Sequence, residues 1–295
     1  MTSHDDQDGV AAFLRVRPTL FGMAYRMLGI RADAEDVVQD VFLRWAGADQ
    51  AGIRDPAAWM MTACTHRSID ILRSVARSRT DYIGSWLPEP LGGEYAHQPQ
   101  ELSYALETAF LMILERATPK ERAAFLLNKV FGLSHVEVAE ILSVTVDASR
   151  KLVSRAGRKI ACGENHERMD VDKHRELLLA FQSAILTDDA AEFSKVLAED
   201  VRLVADGGGK ASAIIEPLQG RAQVLEYLAR ARGWWRRYNW IFEALATGYG
   251  IALLDGPNVF ARIWFETNEY PSISTVYIMR NPEKLYPFSD NGTII

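Results

Sequence analysis

Cysteine is nearly absent from this chain: Cys64 and Cys162 are the two among 295 residues. Two thiols build neither a disulfide framework nor a zinc site, and their scarcity fits a reducing, cytoplasmic setting. Long apolar runs are missing as well. No stretch approaches the ~18 uninterrupted apolar residues of a membrane helix, and the start MTSHDDQDG is polar and acidic, unlike a signal peptide. Positive charge is not in excess either, since the net charge is −6 and the isoelectric point about 5.6. Residues 1–166 hold 19 basic and 21 acidic side chains, and the remainder 14 and 18. Neither part is a general polyanion binder, so any nucleic-acid contact must rest on local clusters. The six histidines show no metal-ligand spacing and no P-loop is present, so no metal and no cofactor is expected.

One local cluster stands out in what is there. Residues 134–159 read SHVEVAEILSVTVDASRKLVSRAGRK. Ser134 and Glu137 have the spacing of a capping box, and Val136, Val138, Ala139, Ile141 and Leu142 supply an apolar face. After a turn at residues 143–145, Thr145 is expected to cap a second helix that carries Arg150, Lys151, Arg155, Arg158 and Lys159. Leu152, Val153 and Ala156 would pin that helix to its neighbour. This is the pattern of a helix-turn-helix whose second helix enters a DNA major groove; a solvated basic face on a helical hairpin is the alternative.

Around it, residues 11–80 have helical periodicity, including Phe13, Leu20, Phe21, Ala24 and Leu28 and then Val37, Val38, Val41, Phe42 and Trp45. Asp33 is expected as an N-cap with Asp36 at the third position. Asp55 followed by Pro56 predicts a helix running to about Arg77, with Trp59 in its packed face. Residues 80–100 carry three prolines and several glycines and predict a linker. Helix signals return over 101–117 and again at Thr118–Pro119, and a second linker follows the basic helix. From His174 the pattern changes to helices at 177–186 and 190–197. Strands are expected at 201–205, 239–247, 250–254, 258–266 and 272–280, with a helix at 221–232 between the first two. That order predicts an α+β domain in which a curved sheet wraps around helices.

The blocks ADAEDVVQDVFLRWA (32–46) and DPAAWMMTACTHRSIDILRSVARSR (55–79) resemble region two of bacterial sigma factors. Residues 117–160, ATPKERAAFLLNKVFGLSHVEVAEILSVTVDASRKLVSRAGRKI, resemble their region four. The two matches cover roughly residues 11–160 in the right order, and the missing further regions point to the extracytoplasmic-function group. Residues 174–285 resemble SnoaL-like, ketosteroid-isomerase-like cone domains by helix and strand order. WLPEP (86–90), DGGGK (206–210) and NPEKL (281–285) resemble the motifs of a sigma subgroup with that extension. Two departures are visible: Thr65–His66–Arg67 stands where relatives often have an arginine–asparagine pair, and Glu283 where aspartate is usual.

The resemblance implies a multidomain fold of two all-α sigma domains, region two and the region-four helix-turn-helix, plus an α+β SnoaL-like cone domain. The segments would be 8–82, a linker 83–100, 101–163, and 172–286. It implies an RNA polymerase sigma factor, not an enzyme, that directs promoter-specific initiation under control of its fused domain. Core RNA polymerase and promoter DNA would be its partners, with no membrane contact and an unidentified small molecule as a third, in the cone. Asp36, Gln39, Asp40 and Arg44 would meet polymerase. His66, Arg67, Asp70, Arg73, Arg77 and Arg79 would approach the minus-ten element, with the arginines on phosphate and an opened strand. For the upstream element, Asp147, Ser149, Arg150 and Lys151 would read bases while Arg155, Arg158 and Lys159 meet the backbone.

The regulatory set would be Trp86, Leu87, Pro88, Glu89 and Pro90; Asp206, Gly207, Gly208, Gly209 and Lys210; and Asn281, Pro282, Glu283, Lys284 and Leu285. Trp86 would be held by the cone domain, with Lys210 or Lys284 paired to Glu89. Plain alternatives are a stiff proline spacer and ordinary turns. A competing class, an enzyme or ligand receptor in the cone, would use Asp206 as base. Trp234, Trp235, Tyr238, Trp240, Tyr249 and Trp264 would line its pocket.

Overall fold

The computed structural model describes residues 3–75, 82–92, 108–160, 171–187, 194–246, 248–269 and 272–285. It divides into two units, Met1–Thr80 with Ala105–Gly163, and Asp81–Tyr104 with Glu164–Ile295.

The helical unit is organised by α1 (Ser3–Leu28), which buries Leu20, Phe21, Met23, Ala24, Tyr25, Met27 and Leu28. Helix α2 (Arg31–Ala46) packs Val37, Val38, Val41 and Trp45 against it. The Trp45 indole Nε1 donates to the Gly9 carbonyl at 2.8 Å, and its ring meets Trp59 at 5.7 Å. Trp59 therefore belongs to the packing. The N-cap of α2 is Ile30, so the helix begins earlier than Asp33 predicts and Asp33 sits in its first turn. Asp55 does accept from the Ala58 amide at 3.0 Å, opening α3 (Pro56–Val75). Cys64, on α3, is fully buried, and burial pushes its thiol up to about 12, which leaves it inert.

The second half of this unit contains α4 (Thr108–Leu114), α5 (Pro119–Phe125) with a π-helical extension (Leu126–Val130), α6 (His135–Leu142) and α7 (Val146–Ile160). Thr118 and Glu121 form a full capping box, with Pro119 at the first helical position. Arg122 is 4% exposed and ties the two halves together. Its guanidinium donates to the carbonyls of Met27 at 2.5 Å and Leu114 at 3.1 Å and to Glu115 at 2.9 Å.

The other unit is built on a mixed six-stranded sheet of order β2-β1-β6-β5-β4-β3. Its elements are α8 (Val171–Thr187), β1 (Leu197–Asp206), β2 (Leu218–Gln219), α9 (Arg221–Trp235), β3 (Asn239–Leu245), β4 (Gly248–Asp255), β5 (Asn258–Glu269) and β6 (Ser272–Met279). The expected short helix at 190–197 falls partly outside the described residues, and Leu197 already opens β1. One sheet face packs Leu203, Ala205, Ile251, Leu253, Ile263 and Phe265 under Leu178, Phe181, Val224 and Leu228 of α8 and α9. The alternate residues project from the other face, among them Asp206, Arg262, Trp264 and Tyr277.

Pairing between β1 and β6 is parallel, with Asp206 beside Met279, whereas the other strand pairs run antiparallel. The parallel pair has a direct consequence. DGGGK leaves the end of β1 and NPEKL leaves the end of β6, so both motifs emerge at one end of the sheet.

Candidate nucleic-acid interface and linker clamp

The basic helix is presented by a tightly specified turn. Ser134 and Glu137 complete a capping box on α6, and Ser143 ends that helix with φ 51°, the left-handed conformation that closes the turn. Thr145 Oγ1 then accepts from the Ala148 amide at 3.1 Å, which caps α7. Val138, Ala139, Ile141, Leu142, Val153 and Ala156 are buried between the helices. Val136 is 53% exposed, so it does not belong to the apolar face predicted for it.

Asp147, Arg150, Lys151, Arg155 and Arg158 are exposed on α7 and line a cleft of about 380 Å³ together with Ser154. Asp147 lies 3.7 Å from Arg150 and 3.5 Å from Lys151, a loose surface arrangement that water screens. Ser149 departs from the set. It is fully buried and shares a 3.2 Å hydrogen bond with His135 Nδ1, so it faces the neighbouring helix instead of a base edge. Lys159 lies 2.6 Å from Glu121. Burial alone would raise the Glu121 carboxyl, but the Lys159 ammonium and the Thr118 donors outweigh it and hold it below its ordinary value.

On α2, Asp36, Gln39 and Arg44 are exposed and Asp40 is half-buried. Leu43 is 61% exposed on the same helix, an apolar surface residue that the polar pattern concealed. Asp40 accepts from Arg67 Nε at 2.6 Å, which joins a residue assigned to polymerase with one assigned to DNA. His66 Nε2 lies 2.6 Å from the Ile141 carbonyl, linking α3 to α6. Asp70 and Arg73 lie 3.5 Å apart, with both side chains more than half exposed. Arg77 and Arg79 lie outside the described residues.

The three short motifs converge on one buried carboxylate. Asp206 is fully buried, and its Oδ1 accepts from the Tyr82 hydroxyl and from the Gly208 amide at 3.0 Å. Its Oδ2 accepts from the Leu87 amide at 2.9 Å and from Lys284 Nζ at 2.7 Å. Four donors satisfy the group, and three of them tie separate parts of the chain. Lys284 also donates to the Leu87 carbonyl at 2.8 Å and lies 4.3 Å from the Trp86 ring centre. Leu87 thus has both backbone groups held.

Local geometry explains the motif spellings. Asn281 caps the 3₁₀ turn Pro282–Lys284, accepting from the Glu283 amide at 3.1 Å, while its Nδ2 donates to the Tyr82 hydroxyl at 3.0 Å. Pro282 starts that turn and directs Lys284 inward. A Cβ on Gly207 would sit 2.3 Å from the Ala211 carbonyl oxygen, and one on Gly208 would sit 2.3 Å from Asn281 Nδ2. Lys210 pairs with Glu283 at the surface. Of the two lysines expected to pair with Glu89, Lys210 meets Glu283 and Lys284 meets the fully buried Asp206 at 2.7 Å, and Glu89 is itself buried. Further along the segment, the Ala246 amide donates to the Leu91 carbonyl at 2.8 Å and Gly92 bridges to Leu245 on β3. Tyr82 lies before WLPEP and carries no motif, so nothing in the sequence marked it.

Of the six aromatics expected around one pocket, Trp234, Trp235, Tyr238, Trp240 and Tyr249 pack in or against one helix-side core, and Trp264 does not. Trp235 interlocks with Phe181 and Trp240 on the helix side, and Phe181 packs on Phe265 at 4.7 Å. Trp234 and Tyr238 pack on Phe260, and Arg280 lies 4.0 Å from the Phe260 ring centre and 4.4 Å from that of Trp234. Tyr249 packs against the helix-side core. Trp264 stacks on Tyr277 at 5.5 Å on the opposite face, because strand alternation turns it away from Ile263 and Phe265. That opposite face also holds a buried Arg262–Glu243 pair at 2.7 Å, which sequence spacing did not reveal.

The two helical blocks, the second ending in a capped basic helix, match models of the sigma-70 transcription initiation factors. Sigma-70 region 2 matches residues 12–78 and Sigma-70 region 4 matches residues 107–160. The chain is 35% identical over 224 residues to the ECF RNA polymerase sigma factor SigJ of Mycobacterium tuberculosis, covering 74% of this chain and 72% of that protein. It is 29% identical over 201 residues to the probable sigma factor SigI of the same species, covering 67% and 69%. The crystal structure of M. tuberculosis SigJ superposes with TM-score 0.72 at 28% identity, covering 93% of this chain and 97% of that one. The chain belongs to the extracytoplasmic-function sigma factors. It is an RNA polymerase sigma factor and not an enzyme, with an α+β domain following regions two and four. Among the described residues no helix is long and apolar enough to cross a membrane.

Proposed function

We propose that this sigma factor is regulated through the segment that joins its two DNA-binding regions, which its own cone domain holds. The observation that supports this is the Asp206 carboxylate, which accepts from Tyr82 and Leu87 of the joining segment and from Lys284 near the end of the chain. Holding residues 82–92 limits how far region two and region four separate, and so tunes engagement of the two promoter elements. The segments 8–82, 83–100, 101–163 and 172–286 are the functional divisions of this reading.

Asp36, Gln39, Asp40 and Arg44 dock on core polymerase in the cytoplasm. His66, Arg67, Asp70, Arg73, Arg77 and Arg79 serve the minus-ten element. Asp147, Arg150 and Lys151 read upstream bases, and Arg155 and Arg158 meet phosphate. Lys159 is bound to Glu121 and acts mainly in holding α7 on α5. The interlocked aromatics favour packing as their role, and this reading requires no small-molecule ligand.

Run-off transcription with core polymerase tests it, using the full chain, a truncation after residue 167, a truncation before Asn281 and Lys284→Ala. The expected result is promoter-dependent transcript from the full chain and altered output from the other three. Equal output from all four overturns the regulatory reading.

A further inference from the structure

We propose that Arg116 and the C-terminal half of α7 form a second phosphate site, which takes a backbone phosphate of promoter DNA beyond the reading cleft. A cleft of about 470 Å³ is lined by Arg116, Glu121, Arg155, Arg158 and Lys159. The reading cleft of about 380 Å³ is also lined by Arg155 and Arg158. The shared arginines make one continuous positive surface around α7. A polyanion that leaves the reading cleft past Arg155 and Arg158 meets Arg116 next.

Arg116 lies outside the helix-turn-helix, yet its position is fixed. Its amide donates to the Ile113 carbonyl at 3.0 Å, the Ala117 amide donates to Leu114 at 3.0 Å, and the Thr118 capping box follows at once. Glu121 does not cancel the charge of the site. Its carboxylate is 6% exposed, with Lys159 at 2.6 Å and the Thr118 amide at 3.0 Å, so it is neutralised from within. Arg116 and Arg155 then set the sign of the cleft, and an arginine fork suits phosphate oxygens. Continuity with the reading cleft favours a phosphate of the DNA backbone over one from a free polyphosphate.

The inference rests on the proposed upstream-element reading, and the test separates the two. Holoenzyme assembled from core polymerase and the full chain is titrated onto a promoter fragment across a salt series. Each neutralised phosphate contributes about 0.9 to the slope of log affinity against log salt. Arg116→Ala is expected to shrink the slope by about that amount and to weaken all promoter variants alike, while Arg116→Lys restores most of it. If Arg155→Ala leaves affinity and slope untouched, the upstream reading fails and this site with it. If Arg155→Ala weakens binding but Arg116→Ala leaves the slope unchanged, the second site alone is overturned. Inorganic triphosphate titrated onto the full chain forms the other arm. Binding that Arg116→Ala abolishes, with no change in the DNA slope, assigns the cleft to free polyphosphate and overturns the DNA assignment.

Discussion

The Lys284 ammonium lies 2.7 Å from the Asp206 carboxylate, with side chains 4% and 0% exposed. Two charges taken out of water are sustained by this geometry only while both are present. Lys284 also holds the Leu87 carbonyl, 197 positions earlier in the chain.

Replacing Lys284 with alanine therefore leaves a buried carboxylate without its cation and a buried carbonyl without its donor. The expected cost is roughly 3–5 kcal/mol, as for breaking a buried pair from one side. Hydrogen–deuterium exchange should show it first over residues 82–92, before loss of the sheet. Protection of that segment unchanged from the parent would disprove the clamp.

Gly208 has φ +58°, and a Cβ there meets Asn281 Nδ2 at 2.3 Å. Gly256 has the same φ of +58° with nothing within 4 Å of its Cβ position. Backbone strain alone is about 1–2 kcal/mol for a left-handed residue. Gly208→Ala should exceed that by displacing Asn281 from Tyr82, whereas Gly256→Ala should show the strain by itself. Thermal unfolding of the two full-length variants measures the difference, and equal losses would mean that contact with Asn281 is unimportant.

Much of the helical half was legible because its signals are local. Ser134 with Glu137, Thr118 before Pro119, and Asp55 before Pro56 each mark a helix start within one turn, so spacing suffices to find them. The strands were legible from β-branched and aromatic runs. What stayed hidden depends on pairing between distant segments. The parallel β1–β6 neighbour relation brings Asp206 to the Asn281 turn, and no feature of either segment announces it. Arg122, Tyr82 and the Arg262–Glu243 pair were missed for the same reason. Ser149 and Val136 mark the opposite error: helical position alone did not tell which neighbour covers a residue.

The Glu121 carboxyl is held below its ordinary value of 4.5. The native protein thus binds that proton less readily than the unfolded chain does. Its stabilising contribution is complete above the ordinary carboxylate range and fades as pH falls through the lowered value. Glu121→Gln should lower the melting temperature of the full chain near neutral pH, and the gap to the parent should narrow as pH falls below the ordinary carboxylate range. A gap that is constant across this range would show that the ionised Glu121–Lys159 tie does not contribute.

Arg150 and Arg158 test the division of labour along α7, since both are exposed and Arg150 lies nearer the helix start. Side chains near that start reach base edges, and an arginine that grips guanine through two hydrogen bonds discriminates by about 1–3 kcal/mol. Arg150→Ala should compress the range of affinities across single-base variants of the upstream element. Arg158→Ala should lower all of them by a similar factor and reduce the salt dependence, because phosphate carries no sequence information. Holoenzyme binding to a panel of upstream-element variants at two salt concentrations separates these outcomes. Uniform losses from both substitutions would place Arg150 on the backbone and leave Asp147 and Lys151 as the reading residues.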